Sequence, residues 1–212
     1  RALIISLKYC GNMSEPKIGE FLENFDVQVS RGSISNILTN SAADFEQEHH
    51  ELLLAGLSST AYQQTDDTSA RVHGQFWHTH ILCNPFYTFY STRPHKDRLA
   101  VLSVLQNTDD LQFRFGRQTL DLLEHEFLAV PDKWRQRLAE LGEVVHSSSS
   151  LKTLLDDWFG AGNQQLRTAI EHAAAITYYR CQSSVPVVGT LVCDDAGQFK
   201  LLTDRLALCW VH

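Results

Sequence analysis

Between Ala61 and Gln106 the residue pattern leaves few folds open. Gln75 to Cys83 (QFWHTHILC) is aromatic, apolar and β-branched, Asn84-Pro85 interrupts it, and Phe86 to Thr92 (FYTFYST) resumes the same texture. Such residues favour pleated backbone, and a short break between two such runs predicts a hairpin. Upstream, Ala61 to Thr65 favours extended backbone and is predicted to stop in a turn at Asp66, Asp67, Thr68 and Ser69. Downstream, His95 to Gln106 places Leu99, Leu102 and Leu105 on a helical repeat. Three strands with short connections predict an antiparallel meander, followed by a helix.

A second stretch, VPVVGTLVCDDAG, repeats the acidic ending. The apolar run Val185 to Cys193 stops at Asp194 and Asp195, and Gly197 follows. A further strand is predicted over Leu206 to Val211. Strand, strand, strand, helix, strand is the order expected of a ribonuclease H-like core. There the first strand is central and the strand after the helix lies parallel beside it. The expected fold class is therefore α/β with a ribonuclease H-like mixed sheet. Asp66 and Asp194 would then meet at neighbouring strand ends, with Asp67 and Asp195 as second-rank acids. Carboxylates there suit Mg²⁺ or Mn²⁺ rather than Zn²⁺, because hard cations prefer oxygen ligands. A pair of such ions supports in-line phosphoryl displacement, one at the attacking oxygen and one at the leaving oxygen. Like charges brought together predict stability linked to the metal.

The rest of the chain precedes or interrupts this core. Arg1 to Cys10 is apolar and fits helix or strand. Ser14 is placed to cap a helix carrying Ile18, Phe21, Leu22 and Phe25, and Ser30 to cap a second from Arg31 to about Leu38. Helix, turn, capped helix is a helix-turn-helix-like layout, with Arg31, Ser33, Ser35 and Asn36 as candidate DNA contacts. A Glu-rich helix from Ser41 to Ser58 links it to the sheet. From Asn107 to Ser184 helical patterns dominate, with the serine run Ser147 to Ser150 as a flexible connector. The expected organisation is residues 1–58 helical, 59–106 first part of the core, 107–184 an all-helical insertion, and 185–212 the second part of the core.

Composition narrows the classes. A hydrophobic fraction of 43% excludes a disordered tail, and no apolar run is long enough to span a bilayer. The net charge of −7 argues against a broadly basic nucleic-acid surface, although Arg93, Lys96 and Arg98 form a local basic patch. Five scattered cysteines without CxxC spacing fit a reducing cytoplasm. His73, His78, His80 and His95 with Cys83, or Cys209 with His212, are weaker candidates for zinc. No phosphate-cradling glycine loop is present. Trp77, Trp134, Trp158 and Trp210 are expected in the core.

Four segments carry a resemblance. TDDTSARVHGQFWHTHILCNPFYTFYSTRPHKDRLAVL resembles the first catalytic segment of bacterial insertion-sequence DDE transposases of the IS-sixty-six type, and GTLVCDDAGQF resembles their second. LALCWVH is similar to their fifth strand, and KYCGNMSEPKIGEFLENFDVQVSRGSISNIL to the helical segment before the core. The resemblance implies Mg²⁺-dependent DNA cleavage and strand transfer, with Asp66 and Asp194 as catalytic, metal-holding acids. It implies transposon ends and target DNA as partners, action as a homo-oligomer, no membrane, and a bacterial cytoplasm at the nucleoid. It also implies a third acid, a Glu on a helix after the fifth strand. The chain stops at His212 before such a helix, so it is expected to be a fragment. The alternatives are a two-metal nuclease of the same fold, and a catalytically inert DNA-binding remnant.

Overall fold

The computed structural model describes residues 1–40, 43–127 and 130–210. It divides into two compact units, Arg1–Glu51 and Leu52–His212.

The first unit holds α1 (Ala2–Tyr9), α2 (Glu15–Glu23) and α3 (Arg31–Thr39). Ile4, Ile18, Leu22 and Ile34 form its buried centre, with Leu7, Phe21, Ile37 and Leu38 packed around them. Pro16 lies in the first turn of α2, where its missing N–H costs nothing. The Ser30 hydroxyl accepts the N–H of Ser33 at 3.1 Å and caps α3 as its sequence position predicts. Ser14 stands at the N-cap of α2 without a side-chain bond. Asp26, at φ +59°, turns the chain between α2 and α3. Helix α4 (Ala43–Ser59) crosses the boundary between the units; Ser41, the expected start of this helix, lies outside the described residues.

The second unit is α/β. Its larger sheet contains β1 (Tyr62–Val72), β2 (Gln75–Asn84), β3 (Tyr87–Arg93), β6 (Thr190–Cys193) and β7 (Arg205–Leu208), ordered β3-β2-β1-β6-β7. β1 and β2, and β2 and β3, pair antiparallel, whereas β1 with β6 and β6 with β7 pair parallel. The meander is as expected, but the acidic turn is not. β1 continues through Asp66 and Asp67, which pair with Ile81 and His80, and the chain turns only at His73 and Gly74. Both have positive φ, +48° and +78°, the backbone a tight two-residue hairpin needs. Local turn propensity at Asp-Asp-Thr-Ser loses to the antiparallel ladder with β2, which continues from Gln64 to Val72. The later strands are shorter than their apolar runs. Residues 185–189 precede β6, and Val211 lies outside the described residues.

Between β3 and β6 come α5 (Arg98–Gln106), β4 (Gln112–Arg114), α6 (Arg117–Leu122), α7 (Asp132–Leu141), β5 (Val145–Ser147), α8 (Ser148–Phe159) and α9 (Gln164–Cys181). A π-helical turn, Leu123–Phe127, extends α6. The insertion is therefore not all-helical, since β4 and β5 form a two-stranded antiparallel sheet. The serine run is not a loose connector either. Ser147 ends β5 and caps α8 by accepting the N–H of Ser150 at 3.3 Å, while Ser148 donates to the carbonyl of Leu111. Serine hydroxyls suit a helix start as well as a linker, and here tertiary contacts decide.

Helix α9 is central. Ala169, Ile170, Ala173, Ala174, Ala175, Ile176 and Tyr179 are all buried, so it is apolar around most of its circumference. One sheet face shares this core through Leu82, Phe89, Leu191 and Cys193. On the opposite face Gln64, Asp66, Thr68 and Tyr90 are exposed. Of the four tryptophans, Trp134 and Trp158 pack half-buried against the core as expected, whereas Trp77 is half-buried outside it and Trp210 is fully exposed. Among the described residues no helix is long and apolar enough to cross a membrane.

A buried polar knot joins the end of α4 to the sheet. Asn84 Nδ2 donates to the Gly56 carbonyl at 3.1 Å and to Gln63 Oε1 at 3.2 Å, and Gln63 Nε2 donates to the same carbonyl at 3.2 Å. The Tyr87 hydroxyl donates to Gln63 Oε1 at 2.9 Å. These side chains satisfy a carbonyl that the helix terminus leaves open. A Cβ on Gly56 would stand 2.5 Å from the Tyr87 ring. Gly56→Ala should lower stability by about 1–3 kcal/mol through overpacking. Asn84→Ala should cost roughly 1–3 kcal/mol by stranding buried acceptors. Urea denaturation of each variant checks both.

Candidate functional site: two acidic doublets at one end of the sheet

Adjacent parallel strands bring the two acidic segments together. β1 and β6 pair Tyr62 with Thr190, Gln63 with Leu191 and Gln64 with Val192. Two positions further along each chain stand Asp66 and Asp194. Both line one cavity of about 180 Å³, together with Gln64, Ile81, Cys83 and Cys209. Asp66 Oδ1 accepts the N–H of Asp67 at 2.8 Å. Asp194 Oδ1 accepts the N–H of Ala196 at 3.0 Å, which turns the chain after β6. Among the described residues neither carboxylate forms an ion pair.

Strand alternation splits the first doublet. Asp66 is exposed on the open face, whereas the Asp67 side chain retains 12% exposure on the covered face. Gln198 Nε2 donates to Asp67 Oδ2 at 3.3 Å, and Lys96 Nζ lies 3.7 Å from Oδ1. The partner across the ladder is His80, which is fully buried. Its Nε2 meets the His95 carbonyl at 3.1 Å, while Nδ1 is buried without a partner. Burial lowers the His80 pKa, and the His95 carbonyl and Asp67 charge oppose that shift only in part. Asp195 is exposed and pairs with Lys200 at 2.9 Å.

The expected basic patch dissolves on folding. Arg93 is largely buried and pairs with Asp109. Arg98 is turned inward, where its Nε donates to the Lys200 carbonyl at 3.1 Å and Nη2 to the Gly197 carbonyl at 2.7 Å. Its Nη1 meets His172 Nδ1 at 3.1 Å. Burial first, and then the Arg98 charge, hold the His172 pKa down at about 4, so the ring is a neutral acceptor at pH 7. Burial also pushes the Cys193 thiol up to about 11, with Asp194 and Asp195 adding to it, so it does not supply a thiolate at neutral pH.

Two carboxylates fit a hard cation that keeps part of its water shell. Mg²⁺ keeps several waters and is commonly held by one or two carboxylates plus substrate phosphates. Among the described residues no group of three His, Cys, Asp or Glu is placed to hold a metal. The strand register and the shared cavity bring Asp66 and Asp194 together. Asp67 meets the second segment through Gln198, and Asp195 faces solvent. Arg31, Ser33 and Asn36 are exposed on α3, while Ser35 is half-buried. His212, the partner expected for Cys209, lies outside the described residues. A larger cavity, about 850 Å³, lies between the end of β3, α5, α8 and α9. Its cations Arg93, Lys152 and Arg167 are already paired, the first with Asp109 and the other two with Asp156, so they leave no free anion site. Sequence reasoning missed His172 and Gln198, and it read Arg98 only as part of a surface basic patch. Their only signal is polarity within apolar helical or loop segments.

No protein-family model matches this chain, and neither does any curated protein or solved structure.

Both His80 and His172 have folded-state pKa values below the ordinary 6.5. The unfolded chain therefore binds protons first as the pH drops, and the native state loses stability. Stability from these rings should be complete above about pH 6.5 and decline from there toward about 4. Thermal unfolding should show a falling Tm over that window, by roughly 2–4 °C for each kcal/mol lost. His172→Gln, which keeps an acceptor but does not titrate, should fall less between pH 7 and 5.

Proposed function

We propose that this chain is part of a DDE-type transposase built on a ribonuclease H-like core, acting on DNA with Mg²⁺ or Mn²⁺. One observation carries the reading: Asp66 and Asp194 line a single cavity where the central strand β1 and the parallel strand β6 run side by side. The strand order β3-β2-β1-β6-β7, antiparallel on one side of β1 and parallel on the other, is the order expected for such a core. The resemblance of the two acidic segments to IS-sixty-six-type transposases points the same way.

In this reading Asp66 and Asp194 hold the divalent cation. When bound, the cation would lower the pKa of a coordinated water or hydroxyl and stabilise charge on phosphoryl oxygens. The chain supplies the rest. Backbone N–H groups orient one oxygen of each carboxylate. The exposed face around Asp66 leaves room for a phosphodiester, and the covered face keeps Asp67 engaged by Lys96 and Gln198. A third acid would come from a Glu that follows the fifth strand.

DNA recognition falls to α3 in the same reading. Residues 1–40 hold four cations (Arg1, Lys8, Lys17, Arg31) and four acids (Glu15, Glu20, Glu23, Asp26). Recognition there rests on hydrogen bonds from Arg31, Ser33 and Asn36 rather than on a positive field. The runner-up reading is a catalytically inert DNA-binding remnant.

Asp66→Asn and Asp194→Asn, placed in a chain that extends through the third acid, should each abolish DNA cleavage and strand transfer. Melting temperature without metal should stay within about 2 °C of wild type, since Asp66 is exposed, Asp194 is half-buried, and asparagine keeps the Oδ1 acceptor that each uses. In the 212-residue chain, Mg²⁺ should raise Tm in wild type and not in either variant. Wild-type strand transfer by the double variant would overturn the transposase reading. Nicked products without joined ones would favour a nuclease, and wild type with no Mg²⁺ response would favour the inert remnant.

A further inference from the structure

The segment that carries the second acidic doublet is short and irregular, so something must hold it. After β6, residues 194–196 turn through the Asp194–Ala196 bond, and Gly197–Phe199 forms one 3₁₀ turn. Phe199 is buried, which anchors the apolar side of the turn. Its polar side is anchored by one guanidinium. Arg98, the first residue of α5, lies 96 positions before Asp194 (194 − 98). It donates to the carbonyls of both Gly197 and Lys200, at 2.7 and 3.1 Å. These two carbonyls bracket the 3₁₀ turn.

Arg98 is itself oriented. Its Nη1 faces His172 Nδ1 on α9 at 3.1 Å, and its guanidinium stands 5.3 Å from the centre of the Phe127 ring. His172 is held neutral by burial, so it accepts rather than repels. Three donors of a rigid planar fork are used in three directions, which an ammonium on a flexible stem cannot reproduce. The clamp reaches the acids through two links. Asp194 begins the segment, and Gln198, inside the turn, donates to Asp67 at 3.3 Å.

We propose that Arg98 is a positioning residue for the acid site: oriented by His172, it fixes the turn after β6 so that Asp194 stays beside Asp66 and Gln198 stays on Asp67. The assignment rests on the reading that Asp66 and Asp194 hold a divalent cation. Arg98 touches neither substrate nor cation; it acts through the backbone of residues 197–200. This gives the helical region between β3 and β6 a role in the site, because His172 and Phe127 both come from it.

The test uses the full 212-residue chain as wild type, Arg98→Ala, Arg98→Lys and Asp66→Asn. Amide hydrogen exchange over residues 194–200 and calorimetric Mg²⁺ titration are measured on each. In Arg98→Ala, exchange in that segment should rise about tenfold or more while the β1–β2 ladder is unchanged, as expected for local rather than global opening. Mg²⁺ affinity should weaken about tenfold or more, the usual cost of losing an outer-shell support. Arg98→Lys should recover part of both effects. Asp66→Asn should lose Mg²⁺ binding with wild-type exchange in the segment.

Unchanged segment exchange in Arg98→Ala would overturn the proposal, as would a loosened segment with wild-type Mg²⁺ affinity. If Arg98→Ala fails to fold, Arg98→Lys decides: partial loss in both measurements supports the clamp, and wild-type values in either overturn it. Wild type that takes up no Mg²⁺ would instead refute the underlying cation reading, and the assignment with it, whatever the exchange data show.

Discussion

The pairing of β1 with β6 is the constraint on which the rest depends. It consists of three residue couples, Tyr62–Gln64 against Thr190–Val192, whereas β1 and β2 share a ladder from Gln64–Cys83 to Val72–Gln75. The hairpin ladder closes through a two-residue turn and forms locally. The parallel pair joins segments 128 positions apart (194 − 66), and such contacts become favourable only after a long loop has been closed. The pair is therefore stabilised from outside itself. Leu191 and Cys193 lie in the core that α5 and α9 build, and the Tyr179 hydroxyl accepts the N–H of Val188 at 3.0 Å just before β6 begins. The helical region between β3 and β6 is thus the means by which β6 reaches β1.

Once that register is set, strand alternation assigns each acid an environment. Asp66 and Asp194 share a cavity on the open face, with one oxygen of each engaged by a neighbouring backbone N–H. Asp67, one residue along, turns into the covered face and is met by Lys96 and Gln198. A single-residue shift in register would exchange the two. Two chemically identical residues side by side thereby differ in solvation and partners, and only Asp66 shares a cavity with the carboxylate that follows β6.

Cationic side chains near the site follow the same logic. Arg93 and Arg98 read as surface charge in the sequence, yet both are drawn inward and engaged by Asp109 and by backbone carbonyls respectively. Desolvation lowers the pKa of both guanidiniums. Burying a guanidinium costs least when its donors are satisfied; Arg93 Nε is buried without a partner, whereas all three nitrogens of Arg98 are engaged. The Gly197 and Lys200 carbonyls meet that need, and an irregular turn is given a rigid support in return.

Much of the architecture was legible in residue types. The alternating aromatic and β-branched runs of β2 and β3 mark strands, Ser30 marks a helix start, and the apolar run ending at Asp194 marks β6. The bends were less legible. Asp-Asp-Thr-Ser has turn chemistry yet lies within a strand, while the turn falls at His73-Gly74, where two positive φ values are needed. The serine run has linker chemistry yet caps a helix, because Leu111 and Ser150 offer it partners from outside and inside the run.

By itself, then, the order of residues determined the meander, the α/β class and the candidacy of Asp66 and Asp194, because these follow from periodicity and side-chain type within a few positions. Which member of each doublet faces the cavity, and which arginine holds the turn, was decided only by tertiary structure. Strand register and the partners of buried charges depend on residues far apart in the chain. No local pattern encodes such distances.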